Sequence, residues 1–197
     1  RNEPVCRWIR QQSGGRSKIV HLGRPWADPE RFDLVITTPQ YRLPIRDNVL
    51  HNPLTLNRVN SQYLDGARQR WEEQLAALPC PRIAVIVGGH SGPYTLGPKA
   101  ARHLAEQARR MAENLGGSLM ITTSARTEES VTAILAAIQG VPMHFYRWRP
   151  GDDNNPYFAY LALADQIIVT ADSISMLSEA CATGKPVHMF ALGTGRN

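Results

Sequence analysis

From Pro81 onward, short apolar runs alternate with helical patterns so regularly that few architectures can accommodate the chain. "RIAVIV" (82–87), "SLMITT" (118–123), "MHFYRW" (143–148), "QIIVT" (166–170) and "PVHMFAL" (186–192) have the length and β-branched content of buried strands. Between the first two lies a helix that opens at Pro98, keeps Ala101, Leu104, Ala108, Met111 and Leu115 on one face, and stops at Gly116-Gly117. Thr127 is positioned to cap a second helix carrying Val131, Ile134, Leu135 and Ile138, ended by Gly140. A short helix near 157–164 and another over 173–183 complete the series. Strands alternating with helices at this spacing predict right-handed βαβ units and a parallel sheet, hence an α/β fold.

The same grammar appears in pieces before Pro81. "KIVHL" (18–22) and "FDLVIT" (32–37) read as strands, with a third around 48–51, and residues 60–78 form an amphipathic helix carrying Tyr63, Ala67, Trp71 and Leu75. The expected organisation is two Rossmann-like, doubly wound parallel-sheet domains. Residues 1–59 form part of an N-terminal domain whose start lies before Arg1, 60–80 a connecting helix and linker ending in "LPCP", and 81–197 the C-terminal domain.

Composition narrows the function classes. Of the 197 residues, 43% are hydrophobic and 20% charged, and no apolar run approaches the ~20 residues of a membrane span. No signal-peptide pattern opens the sequence as given. Cys6, Cys80 and Cys181 are widely spaced and lack a CxxC pair, which points to reduced thiols and a cytoplasmic location, with peripheral contact at the inner membrane as an addition. The net charge of +5 is scattered along the chain, and nothing resembles a basic tail or an aromatic-basic signature, so nucleic acid is not expected as a partner. The excess suits an anionic small ligand or an acidic membrane surface equally. The six histidines lack metal-ligand spacing, and no metal or cofactor is expected. His144 and His188 fall inside strands, where a core role is expected, and His90 alone sits in a loop of interest.

In an open doubly wound sheet the ligand sits beyond the carboxyl ends of the strands, where strand order reverses. With the order 3-2-1-4-5 over residues 82–190, that point lies between the first and fourth strands. The loops there are Gly88-Gly89-His90-Ser91-Gly92 and Thr170-Ala171-Asp172-Ser173. Glycines let a phosphate approach the backbone, and free N–H groups at the start of the 173–183 helix favour an anion. Equally, Gly88-Gly89 can be only a tight turn, with Asp172 or Ser173 only a cap. Of these two roles for Asp172, the cap is preferred over a catalytic acid. Neither loop fits a Walker or G-x-G-x-x-G fingerprint.

Ser175 and Glu179 are four apart, on one face of the helix and opposite the stripe Ile174, Leu177 and Cys181. A carboxylate suits paired sugar hydroxyls better than phosphate, so diphosphate at the helix start and ribose beside Glu179 form a coherent geometry. A solvated Glu on an ordinary helix is the alternative. Ser124 and Arg126 after the second strand, and Asn154 and Tyr157 in or beside the loop after the third, are further candidates for the same cleft. No G-x-S-x-G elbow supports a Ser–His–acid hydrolase.

"ADSISMLSEACATGKPV" resembles the signature of the C-terminal domain of GT-B glycosyltransferases and UDP-GlcNAc 2-epimerases. Over nearly the whole chain, "HLGRPWADPERFDLVITTPQYRLP", "IAVIVGGHSGPYTL" and "DQIIVTADSISMLSEACATGKPVHMF" resemble the bacterial branch of the family named for the plant mitochondrial fission factor. The resemblance implies a GT-B-like fold. The motif match places Ser173 and Ser175 at a diphosphate and Glu179 at a ribose; Gly88, Gly89, His90 and Ser91 form the facing loop by their place at the predicted switch point. The leading expectation is a GT-B-like protein binding a nucleotide-diphosphate sugar in an interdomain cleft, with catalysis left open and transfer to an envelope acceptor the reaction such a donor site would serve. Alternatives are a non-catalytic interaction or membrane-associated protein keeping the fold, or a sugar-nucleotide epimerase. The loop lacks the Arg or Lys that many such enzymes aim at the leaving diphosphate, for which Arg126 is a substitute. No catalytic residue and no protein partner is read from the sequence.

Overall fold

Along β4 (Arg82–Ile86) the side chains divide strictly between two cores, because successive residues of a strand point to opposite faces. Ile83 and Val85 pack with Leu104, Ala108, Val131 and Leu135 on one face; Ala84 and Ile86 pack with Leu75, Tyr160, Leu161 and Ala180 on the other. A strand buried on both faces is the mark of a parallel sheet covered by two helical layers. In this computed structural model, which describes residues Asn2 to Thr194, that strand is the centre of the larger of two units.

The larger unit runs from Leu56 onward. It contains α2 (Ser61–Leu75), β4, α3 (Pro98–Leu115), β5 (Ser118–Thr122), α4 (Glu129–Ala136), β6 (Met143–Tyr146), α5 (Tyr157–Leu163), β7 (Gln166–Thr170), α6 (Ile174–Ala182) and β8 (Val187–Phe190). The sheet is wholly parallel in the order β6-β5-β4-β7-β8, the common 3-2-1-4-5 arrangement on which the predicted switch point rests. The chain adds strands outward to β6, then returns across β4 to β7. Right-handed crossovers running in opposite directions put their helices on opposite faces, so α3 and α4 cover one face, and α5 and α6 the other. By its packing α2 joins the second layer, with Leu75 fully buried there. The sequence-based division assigns the same helix to a connecting segment.

The unit ending at Thr55 holds α1 (Glu3–Gln12) and a parallel sheet β1-β2-β3 made of Val20–Leu22, Leu34–Thr37 and Val49–His51. All three strands lie where the apolar runs place them. The helix α1 was not expected: Glu3-Pro4 opens it and Gly14-Gly15, both at positive φ, follow its end. Ile19, Phe32, Val35 and Val49 form a small core, while Val20, Leu22 and Leu50 are about half exposed.

Three local expectations are corrected. The N-cap position of α4 is held by Glu128 and not Thr127, and the Glu128 side chain makes no capping bond; the Thr127 hydroxyl donates to the Gly88 carbonyl instead. His188 is exposed on the edge strand β8, where it pairs with Gln166, and is not core; His144 is half-buried and bonded to the Tyr160 hydroxyl. On α6 the buried side is Met176, Leu177 and Ala180, while Cys181 faces solvent.

Candidate functional site

β4 and β7 are neighbours whose continuations leave on opposite faces of the sheet, so a crevice opens beyond their carboxyl ends. The β4 side of this crevice is wired to the β7 side through one carboxylate. The Gly88 N–H donates to Thr170 Oγ1 (2.8 Å) and the Gly89 N–H to Asp172 Oδ2 (3.0 Å). Thr170 Oγ1 in turn donates to Asp172 Oδ1 (2.7 Å), and Arg126 Nη2 to Asp172 Oδ2 (2.9 Å). The Asp172 side chain is fully buried, whereas that of Arg126 is 42% exposed. A buried charge without partners is costly, and here two hydrogen bonds and a guanidinium satisfy it.

Asp172 is therefore not the helix cap. That role belongs to Ser173, whose Oγ accepts from the Met176 N–H at 3.4 Å. The carboxylate one residue earlier faces back across the crevice instead. Its position also explains the two glycines. A β-carbon on Gly88 would collide with the Asp172 carboxylate, and one on Gly89 with the Arg126 carbonyl. Neither glycine has a positive φ; that conformation falls to Gly92, where Ser91 and Tyr94 exchange backbone hydrogen bonds at 3.1 Å. Close packing, and not a tight turn, requires glycine at 88 and 89. Their N–H groups are committed inside the protein.

His90, the next residue, is held at both ring nitrogens. Nδ1 accepts from the Leu96 N–H (3.1 Å) and Nε2 lies 2.8 Å from Glu128 Oε1, which fixes the proton on Nε2. Ser124 forms a local turn in which its N–H donates to Thr127 Oγ1 (2.9 Å), and it contributes to loop shape.

The opposite wall is α6. Helix geometry leaves the first N–H groups without intrahelical acceptors; Ser173 takes that of Met176, leaving those of Ile174 and Ser175. Ser175 is exposed and Glu179 half-buried. Glu179 Oε2 accepts from the Tyr157 hydroxyl at the start of α5. Burial first, and then the Glu179 carboxylate, push the Tyr157 phenol far above its ordinary range, so it stays a donor. One carboxylate oxygen is thereby oriented, and the second remains an acceptor. Asn154 lies apart from this group, accepting from Arg70. Its loop is tied by Asp152, whose carboxyl is held below the usual range by the Asn154 N–H and then the Tyr146 hydroxyl.

The structure thus brings the candidates together in three sets: Gly88, Gly89, Arg126 and Asp172; Tyr157 and Glu179; and His90 with Glu128. Sequence reasoning did not anticipate Thr170, Thr127 and Glu128 as the partners in these sets. Among the described residues, no three His, Cys, Asp or Glu gather as a metal site. Chemically the crevice offers N–H donors and a half-exposed guanidinium at one end, and an oriented carboxylate one to two turns along.

Comparison with known proteins agrees with this architecture. The model of the family described as "Mitochondrial fission ELM1" matches residues 1–197. The chain is 30% identical to the mitochondrial fission protein ELM1 of Arabidopsis thaliana over 203 residues, covering 92% of this chain and 47% of that protein. It is 35% identical to the uncharacterized protein RP120 of Rickettsia prowazekii (strain Madrid E) over 108 residues, 54% of this chain and 30% of that one. The chain spans about half or less of the length of these curated relatives. In fold it is similar to the crystal structure of a family 9 glycosyl transferase from Veillonella parvula DSM 2008, with a TM-score of 0.52 at 11% identity over 98% of this chain and 62% of the other. The fold is GT-B-like and the protein glycosyltransferase-like in architecture. The chain belongs to the mitochondrial fission ELM1 family.

Proposed function

We propose that the crevice between the β4 loop and α6 binds the nucleoside diphosphate part of a nucleotide sugar. The diphosphate lies against the N–H groups of Ile174 and Ser175 and the side chains of Ser173 and Ser175, with the Arg126 guanidinium as the neutralising charge. Gly88 and Gly89 form the floor beneath it, and His90 and Ser91 its rim. The ribose hydroxyls bond Glu179, whose carboxylate is already oriented by Tyr157. That oriented pair is the observation carrying the proposal. A merely solvated Glu needs no buried phenol aimed at it, and a carboxylate placed to accept two hydroxyl protons is suited to a vicinal diol.

Such a site contributes to sugar transfer by electrostatics and positioning. Donors fixed before the reaction stabilise charge developing on the departing diphosphate, and the ribose clamp sets its alignment. The acceptor, an envelope component in this reading, and any general base come from outside the residues assigned here.

The test is a thermal-shift panel of UDP-, GDP-, ADP- and CMP-sugars on the full chain and on Glu179→Gln. Binding to the folded state alone raises Tm by mass action. A rise with one nucleotide class that is lost in Glu179→Gln supports the site; no rise with any class removes it.

A second reading, a protein that keeps this fold to bind a membrane or partner at the cytoplasmic face, is favoured by a different observation. In the unit ending at Thr55, Trp26 is 88% and Ile45 92% exposed. Nine Lys and Arg face five Asp and Glu there, giving +4 of the chain's +5. Among the described residues no helix is long and apolar enough to cross a membrane.

A further inference from the structure

Glycine sits in the middle of α2 without a packing reason. Gly66 has an ordinary helical backbone, and a β-carbon built on it meets no atom within 4 Å. Glycine in a helix interior is among the least favourable choices, because it leaves the unfolded chain the greatest freedom. Gly88 and Gly89 are forced by close neighbours; Gly66 is not. What it does have is a position on the wall of a cleft.

That cleft, of about 520 Å³, runs between α2 and the β6–α5 loop with the first turn of α5. Its apolar surface comes from Tyr63, Trp71 and Phe158, with Tyr63 and Phe158 edge to face at 4.8 Å. Its polar groups are Asn60, Gln62, Arg70, Asp153 and Asn155. Arg70 is steadied by Asn154, and Asn155 by the Tyr157 N–H at 3.0 Å. Asp153 is exposed and is bonded to none of the described residues.

The chemistry of this lining selects among ligands. Arg70 and Asp153 oppose each other in sign, so neither a phosphate nor an acidic group is favoured as a whole. Amides, a carboxylate and a guanidinium interleave acceptors with donors, which matches a ligand whose hydroxyls do both. Aromatic surface beside such groups suits the C–H face of a pyranose, amphipathic in the same way. We infer that the cleft between α2 and the β6–α5 loop is a saccharide-binding subsite, for a neutral pyranose unit, and that Gly66 is kept to leave room for the ring. This subsite is separate from the diphosphate crevice and does not depend on nucleotide binding there.

Saturation-transfer NMR on the full chain, with the methyl glycosides of glucose, galactose, mannose and N-acetylglucosamine at millimolar concentration, tests it. At least one glycoside receives saturation. In Gly66→Leu the signal disappears although Tm does not fall, since Leu is the better helix former. Asp153→Asn weakens the dissociation constant about tenfold, as expected for losing a hydrogen bond to a charged group. Glu179→Gln leaves the glycoside signal intact, which separates this subsite from the crevice. The inference is overturned if no glycoside responds, if Gly66→Leu binds as well as the wild type, or if Glu179→Gln abolishes the signal. It is overturned too if uridine or adenosine takes up more saturation than every glycoside and loses it in Gly66→Leu, because the cleft would then be a base pocket.

Discussion

The loop after β4 and the first turns of α6 face each other across one crevice, yet they handle their polar groups oppositely. At Gly88 and Gly89 the backbone donors are bonded to Thr170 and Asp172, and the Gly88 carbonyl accepts from Thr127. On α6, Ser175 is exposed and Glu179 has one oxygen oriented and one open. The difference separates scaffold from ligand surface. Glycines that look like a phosphate cradle serve to admit the buried Asp172 carboxylate at Gly88 and the Arg126 carbonyl at Gly89, and that carboxylate fixes the wall on which α6 begins. Substitutions in the first set should therefore change stability, and those in the second should change binding.

The largest effect is expected at Gly89. Gly89→Ala forces a methyl group into the Arg126 carbonyl, and overpacking of this severity costs about 3 kcal/mol, read as a lower urea midpoint. Retained stability would mean that the loop yields easily and is not a fixed wall. Asp172→Ala comes next. It leaves the Gly89 N–H and the Thr170 hydroxyl without their acceptor, at a cost of about 2 kcal/mol; the half-exposed Arg126 turns to water and adds little. Ser173→Ala removes the α6 cap. Its 3.4 Å bond is long, so the loss should fall near the low end of capping effects, about 0.5 kcal/mol. Glu179→Gln should stay within about 0.5 kcal/mol of wild type, and a large loss there would break the division between the two walls.

The smallest effect is a pH dependence away from the crevice. Lys185 Nζ donates to the carbonyls of Leu161 and Ala162 at the end of α5. Burial, and then nearby Arg68, lower its pKa to about 8 from 10.5. Between these values the unfolded chain holds more protons than the folded one, so this group makes stability rise with pH across that window. Because the amine is only half-buried the slope should be shallow. Urea midpoints of wild type and Lys185→Met at pH 8 and pH 10 check it: the difference should move in favour of wild type at the higher pH.

How far the sequence carried depends on distance along the chain. Strand identity is local, and each apolar run is a strand; the 3-2-1-4-5 order was taken as the common arrangement of such folds, and the sheet adopts it. Residue pairs were not legible, because Arg126 and Asp172 are separated by 46 positions and Tyr157 and Glu179 by 22. No periodicity connects such residues; only the folded sheet does. The same cause moved two caps. Thr127 and Asp172 both have side chains that cap helices well, but tertiary partners claimed them, leaving Glu128 and Ser173 in those positions. The signal for α1 lies in Pro4 and in Val5, Trp8 and Ile9, spaced i, i+3 and i+4 on one face of a helix of 10 residues, too short a stretch to stand out beside the longer βα pattern that follows.

The most direct measurement of the central claim is a backbone and arginine side-chain NMR titration of the full chain with UDP, GDP and ADP. The account predicts that one of these diphosphates shifts the amides from Ser173 to Met176 and that of Glu179, together with Arg126 Nε, while the Gly88 and Gly89 amides keep their hydrogen-bonded positions. Shifts confined to residues outside α6 and Arg126, or no shift with any of the three at millimolar concentration, would contradict it.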